Sequence, residues 1–514
     1  MPRAIVAAGH PDTAAAAAAV LAAGGNAFDG VVAALAAACV AEPVLASLGG
    51  GGFLHARPAG DAPLVLDFFT QTPQRKAPTA GLDFHPVHAD FGDATQEFHI
   101  GRGAMATPGA VAGLFEIQRR LCRLPMLDLL APAQTLAARG VVVNAVQHGI
   151  ARIVEPILRA DPTAFALFAS PARPDRLATV GERVPWPELA AALDALAKAG
   201  PAVLHGGPWA ERLAADCAAG GGHLCIADLS DYRVAHRAPL ALDYRDARLY
   251  LNPPPSVGGA LLALTLELLA ETPVDNMAFG SPAHRLALAT AMAVTAEIRA
   301  ALPHGRLPDA AARAARRTGF AARLQAFGPA VHRGTTQISI VDRDGNLASL
   351  TLSNGEGAAY VLPGTGIILN NMLGEADLAG GSFHRWPENT RLGSMMCPTL
   401  LAHGAGGWTV TGSSGSNRIR SAILQVLVNR IDLNLPLAEA VAAPRIHLEE
   451  DVLSLEPPVA EDTLAALTAH WSNTRVWRAQ NVFFGGAHSV GIDADGQLHG
   501  AGDARRGGVV QVVG

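Results

Sequence analysis

Cysteine is scarce in this chain: five residues in 514, Cys39, Cys122, Cys217, Cys225 and Cys397, with no paired spacing. Neither a disulfide framework nor a zinc site is signalled. The nearest approach to a metal pair, His223-Leu224-Cys225, lacks two further ligands nearby, so no metal is expected. Charge of one sign is also missing. A formal net charge of −6 with only short basic runs is too mild for a nucleic-acid or membrane partner. The densest basic run, Arg313 to Arg317, reads as a solvated helix face. There is no internal repeat, and no low-complexity linker beyond an alanine bias. No apolar run reaches a membrane-spanning length, because Gly24-Gly25-Asn26 ends the apolar stretch 14–23. Met1-Pro2-Arg3 runs straight into Ala4-Ile5-Val6-Ala7-Ala8 with no secretory signal, and the expected location is cytoplasmic.

What is present suits a large core. Hydrophobic residues make up 50% of the chain. Short apolar strands alternate with alanine-rich helices. Strands are expected at Ile5–Ala8, Phe53–Ala56, Leu64–Phe68, Ala247–Leu251, Thr336–Val341, Leu347–Leu352 and Trp408–Thr411. Helices are expected at Asp12–Ala23, Ala27–Val40, Pro187–Lys198, Ala260–Leu269, Ser281–Leu302 and Arg420–Ile431. Asp12 and Gly24-Gly25 form a plausible cap pair for the first helix. Strands mixed with long helices favour layers of sheet and helix, without specifying which.

The most informative stretch runs from Gly334 through Thr335-Thr336-Gln337-Ile338-Ser339-Ile340-Val341 to the turn at Asp344-Gly345. Two threonines open an alternating strand, and the turn sends it back. A glycine before a hydroxyl residue favours self-cleavage. If Thr335 Oγ1 attacks the Gly334 carbonyl, Thr335 becomes a new N-terminus. Its α-amine, titrating near pH ~8, is then a base for its own hydroxyl. Alone, the segment reads first as an ordinary hairpin with surface threonines.

Other blocks decide between these readings. Gly24-Gly25-Asn26-Ala27-Phe28-Asp29, Glu42-Pro43, Gly49-Gly50-Gly51-Gly52-Phe53 and Thr107-Pro108-Gly109 come first. Asp228-Leu229-Ser230-Asp231-Tyr232 and Pro253-Pro254-Pro255-Ser256-Val257-Gly258-Gly259 follow. After the hairpin come Thr365-Gly366-Ile367-Ile368-Leu369-Asn370-Asn371-Met372, Ser394-Met395-Met396-Cys397-Pro398-Thr399 and Thr411-Gly412-Ser413-Ser414-Gly415-Ser416-Asn417-Arg418-Ile419. In this order, from about residue 4 to the end, the set resembles the γ-glutamyltransferase family of N-terminal-nucleophile hydrolases. The resemblance implies an αββα sandwich, two stacked sheets between helix layers. It implies a large chain, 1–334, and a small chain, 335–514, that stay together as one interlocked unit. Pro303–Gly334 would be the flexible tail at the cut. No cofactor is implied, and a homodimer is left open.

The resemblance also assigns roles. Cleavage falls between Gly334 and Thr335, and Thr335 is the nucleophile. Ser353, where the family commonly has Thr, would hold it in place. Backbone N–H groups of Gly415 and Ser416 would stabilise the oxyanion. The family commonly has two glycines there; a backbone donor survives Gly→Ser, though a positive φ would cost more. Substrate contacts fall on Asn354, Asn371, Glu375, Ser394, Met395 and Phe69. Here the chain departs from its family. Phe69 stands where an arginine clamps the α-carboxylate, and a phenyl ring cannot replace a guanidinium. Ser394-Met395 replaces two consecutive serines, Glu375 replaces an aspartate, and Met372 replaces an amide residue. Gln337 stands at a usual histidine, and Asn354-Gly355 breaks the usual placement of an asparagine. Cys397 reads as packing. The expected activity is acyl transfer from a small-molecule amide through a Thr335 ester, by hydrolysis or transfer. Glutathione-type γ-glutamyl compounds, a small amide such as oxamate, and β-lactam side chains are the substrate options. An uncleaved, non-catalytic homologue with a binding role is the option of another class.

Overall fold

A computed structural model describes residues 2–90, 95–300, 334–375, 383–449 and 451–514. A seven-stranded antiparallel sheet runs in the order Ala235–Arg237, Leu64–Phe68, Gly51–Arg57, Leu347–Ser353, Thr336–Asp342, Ala4–Ala8, Val509–Val513. A six-stranded antiparallel sheet runs in the order Leu240–Tyr244, Ala247–Leu251, Thr399–Ala402, Gly407–Thr411, Ser489–Asp493, Leu498–Ala501.

Alternation along the strands explains how the sheets stack. In Ala4–Ala8, Ala4, Val6 and Ala8 join the core shared with helices Pro11–Ala22, Ala27–Ala41, Ala110–Leu121 and Met126–Arg139. Ile5 and Ala7 face the other way and pack with Val341, Leu347, Leu400, Val410 and Val490 between the sheets. Helices Val257–Leu269, Pro282–Ala300 and Arg418–Ile431 cover the far side of the six-stranded sheet. The result is the expected αββα sandwich. Its central strands, Leu347–Ser353 and Thr336–Asp342, are buried along their whole length. Their ends are therefore held by packing on both faces.

The first helix spans Pro11–Ala22, and its cap differs from expectation. His10, not Asp12, is the N-cap: its Nδ1 accepts the Asp12 N–H at 3.1 Å. Asp12 lies inside the first turn, where its carboxylate bonds Arg139 at 2.7 Å. Burial lowers the His10 pKa, which keeps the ring neutral and able to accept. The expected helix at Ala260–Leu269 begins three residues earlier, at Val257. Of the expected tail Pro303–Gly334, residues 303–333, with Arg313 to Arg317, lie outside the described residues, as do the last residues of the Ser281–Leu302 helix; Gly334 itself is described and buried.

Candidate active site

The hairpin register builds the site. The ladder pairs Thr336 with Leu352, Ser353 with Gly51, and Gly52 with Phe68. Continued by one residue, it sets Thr335 opposite Ser353 and Gly51 opposite Phe69. One rung of the sheet thus carries Thr335, Ser353, Gly51 and Phe69. A side chain at position 51 would be blocked, since a Cβ there would lie 2.8 Å from both the Phe68 carbonyl oxygen and the Thr70 nitrogen.

At this rung two hydroxyls converge on one carbonyl. Thr335 Oγ1 donates to the Gly334 carbonyl at 2.7 Å, and Ser353 Oγ donates to it at 2.6 Å. The two hydroxyls are 3.5 Å apart. The Gly334 N–H donates to Glu356 Oε1 at 3.1 Å. A Cβ on Gly334 would lie 2.6 Å from the Gly355 carbonyl oxygen, so the residue before Thr335 has no room for a side chain. All these groups are buried, and the carbonyl is polarised away from bulk water.

The next rungs hold the sheets together beneath the site. Gln337 donates through Nε2 to Ser339 Oγ at 3.1 Å and Ser349 Oγ at 3.0 Å. It accepts from Thr351 Oγ1 at 2.6 Å. Ser349 and Ser339 then donate across the sheet gap to the carbonyls of Thr411 (2.7 Å) and His488 (2.8 Å). Gln337 is therefore structural here. On the opposite face, Thr336 Oγ1 donates to Glu42 Oε2 at 2.7 Å, and Thr13 donates to Glu42 Oε1 at 2.8 Å. Burial pushes the Glu42 carboxyl above the usual range, against the pull of these two hydroxyl donors. Glu42 was singled out only as part of the Glu42-Pro43 block, without a role, and Glu356 escaped sequence reasoning. The available signals were a lone carboxylate ending an almost uncharged helix and a charge between Gly355 and Gly357.

The oxyanion candidates lie on the loop between strand Gly407–Thr411 and helix Arg418–Ile431. Gly415 has φ 107° and Ser416 has φ 55°. Among the described residues neither N–H has a hydrogen-bond acceptor. They sit beside a helix N-terminus, where donors face outward and the field favours negative charge.

Thr335, Ser353, Phe69, Glu375, Ser394, Met395 and Ser416 line one small cavity. Met372, Met396 and Ile419 complete its wall. Asn354, Asn371 and Gly415 do not line it. Asn371 accepts the Glu356 N–H at 3.0 Å and donates to the His99 carbonyl at 3.3 Å, so it braces the loop behind the site. Asn354 is buried as well. Cys397 is buried with its thiol pKa raised by burial, as a packing residue would be. Phe69 stacks on Phe53 with ring centroids 5.5 Å apart. Among the described residues, Arg391 and Arg418, two arginines that could serve as a carboxylate clamp, have partners elsewhere. Arg391 donates to the Phe69 carbonyl and to the Tyr232 hydroxyl, and its guanidinium lies 4.5 Å over the Tyr232 ring. Arg418 lies 4.9 Å over the Phe483 ring and 3.6 Å from Glu449.

Residues 13–513 match the family model described as gamma-glutamyltranspeptidase. An acylase ACY 1 proenzyme of Pseudomonas sp. strain V22 is 33% identical over 97% of this chain and 91% of that protein. The glutathione hydrolase proenzyme of Escherichia coli strain K12 is 29% identical over 93% of this chain and 86% of its own length. A cephalosporin acylase from Bacillus halodurans superposes with a TM-score of 0.83 at 23% identity, covering 99% of this chain and 96% of that one. The likeness to that solved structure supports the fold, and the whole-length match of sequence supports the descent. The chain belongs to the gamma-glutamyltranspeptidase family, proenzymes that cut themselves into a large and a small chain and then hydrolyse or transfer an acyl group taken from an amide.

Proposed function

We propose that cleavage after Gly334 frees Thr335 as the nucleophile, and that the acyl group it accepts lacks the α-carboxylate of a γ-glutamyl group. The convergence of Thr335 Oγ1 and Ser353 Oγ on the Gly334 carbonyl carries the first half of the reading. In cleavage, Oγ1 adds to the Gly334 carbon, the peptide C–N bond breaks and the Oγ1 proton passes to the departing nitrogen, leaving an ester and a free Thr335 amine. Water then hydrolyses the ester and releases the Gly334 carboxylate. In turnover the amine takes the Oγ1 proton as Oγ1 adds to the substrate carbonyl, and passes it to the departing amine. The cavity wall carries the second half: Phe69, Met372, Met395, Met396 and Ile419 suit an apolar acyl chain. Glu375 and Ser394, in the same cavity, favour γ-glutamyl compounds as the second reading. A small-molecule amide substrate, a cytoplasmic location and a homodimer belong to the same proposal; cell fractionation and light scattering test the last two.

The test of the nucleophile is the mass of the purified protein. Wild type should give chains of 334 and 180 residues, the smaller beginning Thr-Thr-Gln-Ile-Ser. Thr335→Ala should remain one chain and be inactive. Wild-type protein that is intact yet fully active would overturn the reading.

A further inference from the structure

Ser416 combines features that its neighbours do not share. Its φ of 55° lies in the left-handed region, where glycine rests freely and serine does not. The residue is 4% exposed, and its Oγ is buried without a hydrogen-bond partner. It also lines the cavity that contains Thr335 and Ser353. Ser414 has a similarly buried, unpartnered hydroxyl but does not line this cavity. A buried hydroxyl that makes no hydrogen bond is costly, and so is a serine at a glycine conformation. Both costs are offset if an atom absent from the resting protein completes the bond during the reaction.

We propose that the Ser416 hydroxyl is a catalytic donor that hydrogen-bonds the oxygen of the substrate carbonyl as Thr335 Oγ1 adds to its carbon. As the Oγ1–C bond forms, the carbonyl π pair moves onto that oxygen. The backbone N–H groups of Gly415 and Ser416 and the side-chain O–H of Ser416 then meet it together. When the intermediate collapses, the pair returns, the C–N bond breaks and the amine leaves with the proton taken from Oγ1. Ser416 stays protonated throughout. A glycine at 416 would supply the backbone donor alone; the side chain adds a third. The inference rests on Thr335 as the nucleophile.

The test compares wild type, Ser416→Gly, Ser416→Ala and Thr335→Ala with hexanoyl-p-nitroanilide and γ-glutamyl-p-nitroanilide, scaling kcat to the fraction of cleaved chain. Ser416→Gly should cleave normally, since Ser353 Oγ already donates to the Gly334 carbonyl as Thr335 Oγ1 adds to its carbon. Its melting temperature should equal or exceed that of wild type, because glycine relieves the left-handed backbone. Its kcat should fall roughly 10- to 100-fold with KM changed less than about threefold, at the low end for an oxyanion donor because two backbone donors remain. Ser416→Ala should lose as much kcat. A Ser416→Gly enzyme with kcat within about threefold of wild type would overturn the proposal. So would loss confined to Ser416→Ala, which would implicate the backbone, or failure of Ser416→Gly to cleave, which would implicate maturation. A Thr335→Ala protein that is cleaved and active would instead remove the nucleophile reading. Inactive Thr335→Ala beside fully active Ser416→Gly would remove only the role given to the hydroxyl.

Discussion

One side of the Thr335 cavity is a rung of antiparallel sheet; the other is formed by loop residues Met372, Glu375, Ser394, Met395 and Met396, with Ile419 from a helix. On the sheet side, backbone register fixes the positions of Thr335 and Ser353, and buried hydrogen bonds anchor the strands from below. On the loop side, the side chains do the work: Met372 and Met395 stand at two positions expected to be polar, and Phe69, at the edge of the sheet rung, stands at a third. Moving Thr335 would mean shifting a whole ladder, and a one-residue slip would turn every side chain to the wrong face. Changing the acyl wall needs only single substitutions. Reaction type and substrate preference can therefore diverge within one cavity.

The sharpest way to break this contrast is on the sheet side. Ser353→Ala removes one of the two hydroxyls on the Gly334 carbonyl. Precursor cleavage should slow, and kcat of the mature enzyme should fall about 100-fold, the order expected when an aligned donor or positioning group is lost. KM should change much less. Time-resolved gels and steady-state kinetics would check this. A change in KM alone would move Ser353 to the substrate-binding side of the comparison.

A smaller effect follows from acid. The layer beneath the Thr335 rung contains titratable rings, whereas the apolar wall of the cavity has none. His55 donates through Nδ1 to the Pro398 carbonyl at 3.1 Å, and His488 accepts the Asp503 N–H at 3.2 Å. Burial pushes both pKa values from 6.5 down to about 4. Both are lower folded than unfolded, so the unfolded chain binds more protons once the pH drops below 6.5. Stability is then full above pH 6.5 and declines as the pH falls toward 4. At pH 5.5 each ring should cost about 1 kcal/mol relative to neutral pH. His55→Gln should flatten this part of a melting-temperature profile; an unchanged slope would mean that His55 does not titrate in this window.

How much of this was legible in the sequence depended on distance along the chain. Leu64–Phe68 and Ala247–Leu251 match their expected bounds at both ends, because apolar alternation and flanking turn residues are local signals. The hairpin of Thr336–Asp342 and Leu347–Ser353 was legible for the same reason, each strand running one residue beyond its expected end. Ser416 was recognised as a substitution for glycine, and the concern about a positive φ there was correct. The orphaned state of its hydroxyl needed the folded cavity. Glu42 bonds a threonine 294 residues away, a contact that leaves no periodic trace. The engagement of Arg391 was hidden too, because its partners are the Phe69 carbonyl and a tyrosine 159 residues distant. The cap of the first helix was misread because an imidazole can accept a backbone N–H as a carboxylate does, two residues upstream of the expected position.

The central claim, a retained threonine reaction behind an altered acyl wall, is tested most directly by one ratio. It is kcat/KM for hexanoyl-p-nitroanilide over kcat/KM for γ-glutamyl-p-nitroanilide, measured on the cleaved wild-type enzyme. On the proposed reading Phe69, which is buried, stands where a guanidinium would be needed, and among the described residues Arg391 and Arg418 have partners elsewhere, so an α-carboxylate would enter this cavity short of a counter-charge. A shortfall of about 1.4 kcal/mol is a factor of ten. The ratio should therefore exceed roughly ten, and Phe69→Arg with Met395→Ser should lower it by about the same factor, more than either change alone. A wild-type ratio below one, with efficient turnover of the γ-glutamyl compound, would contradict the account.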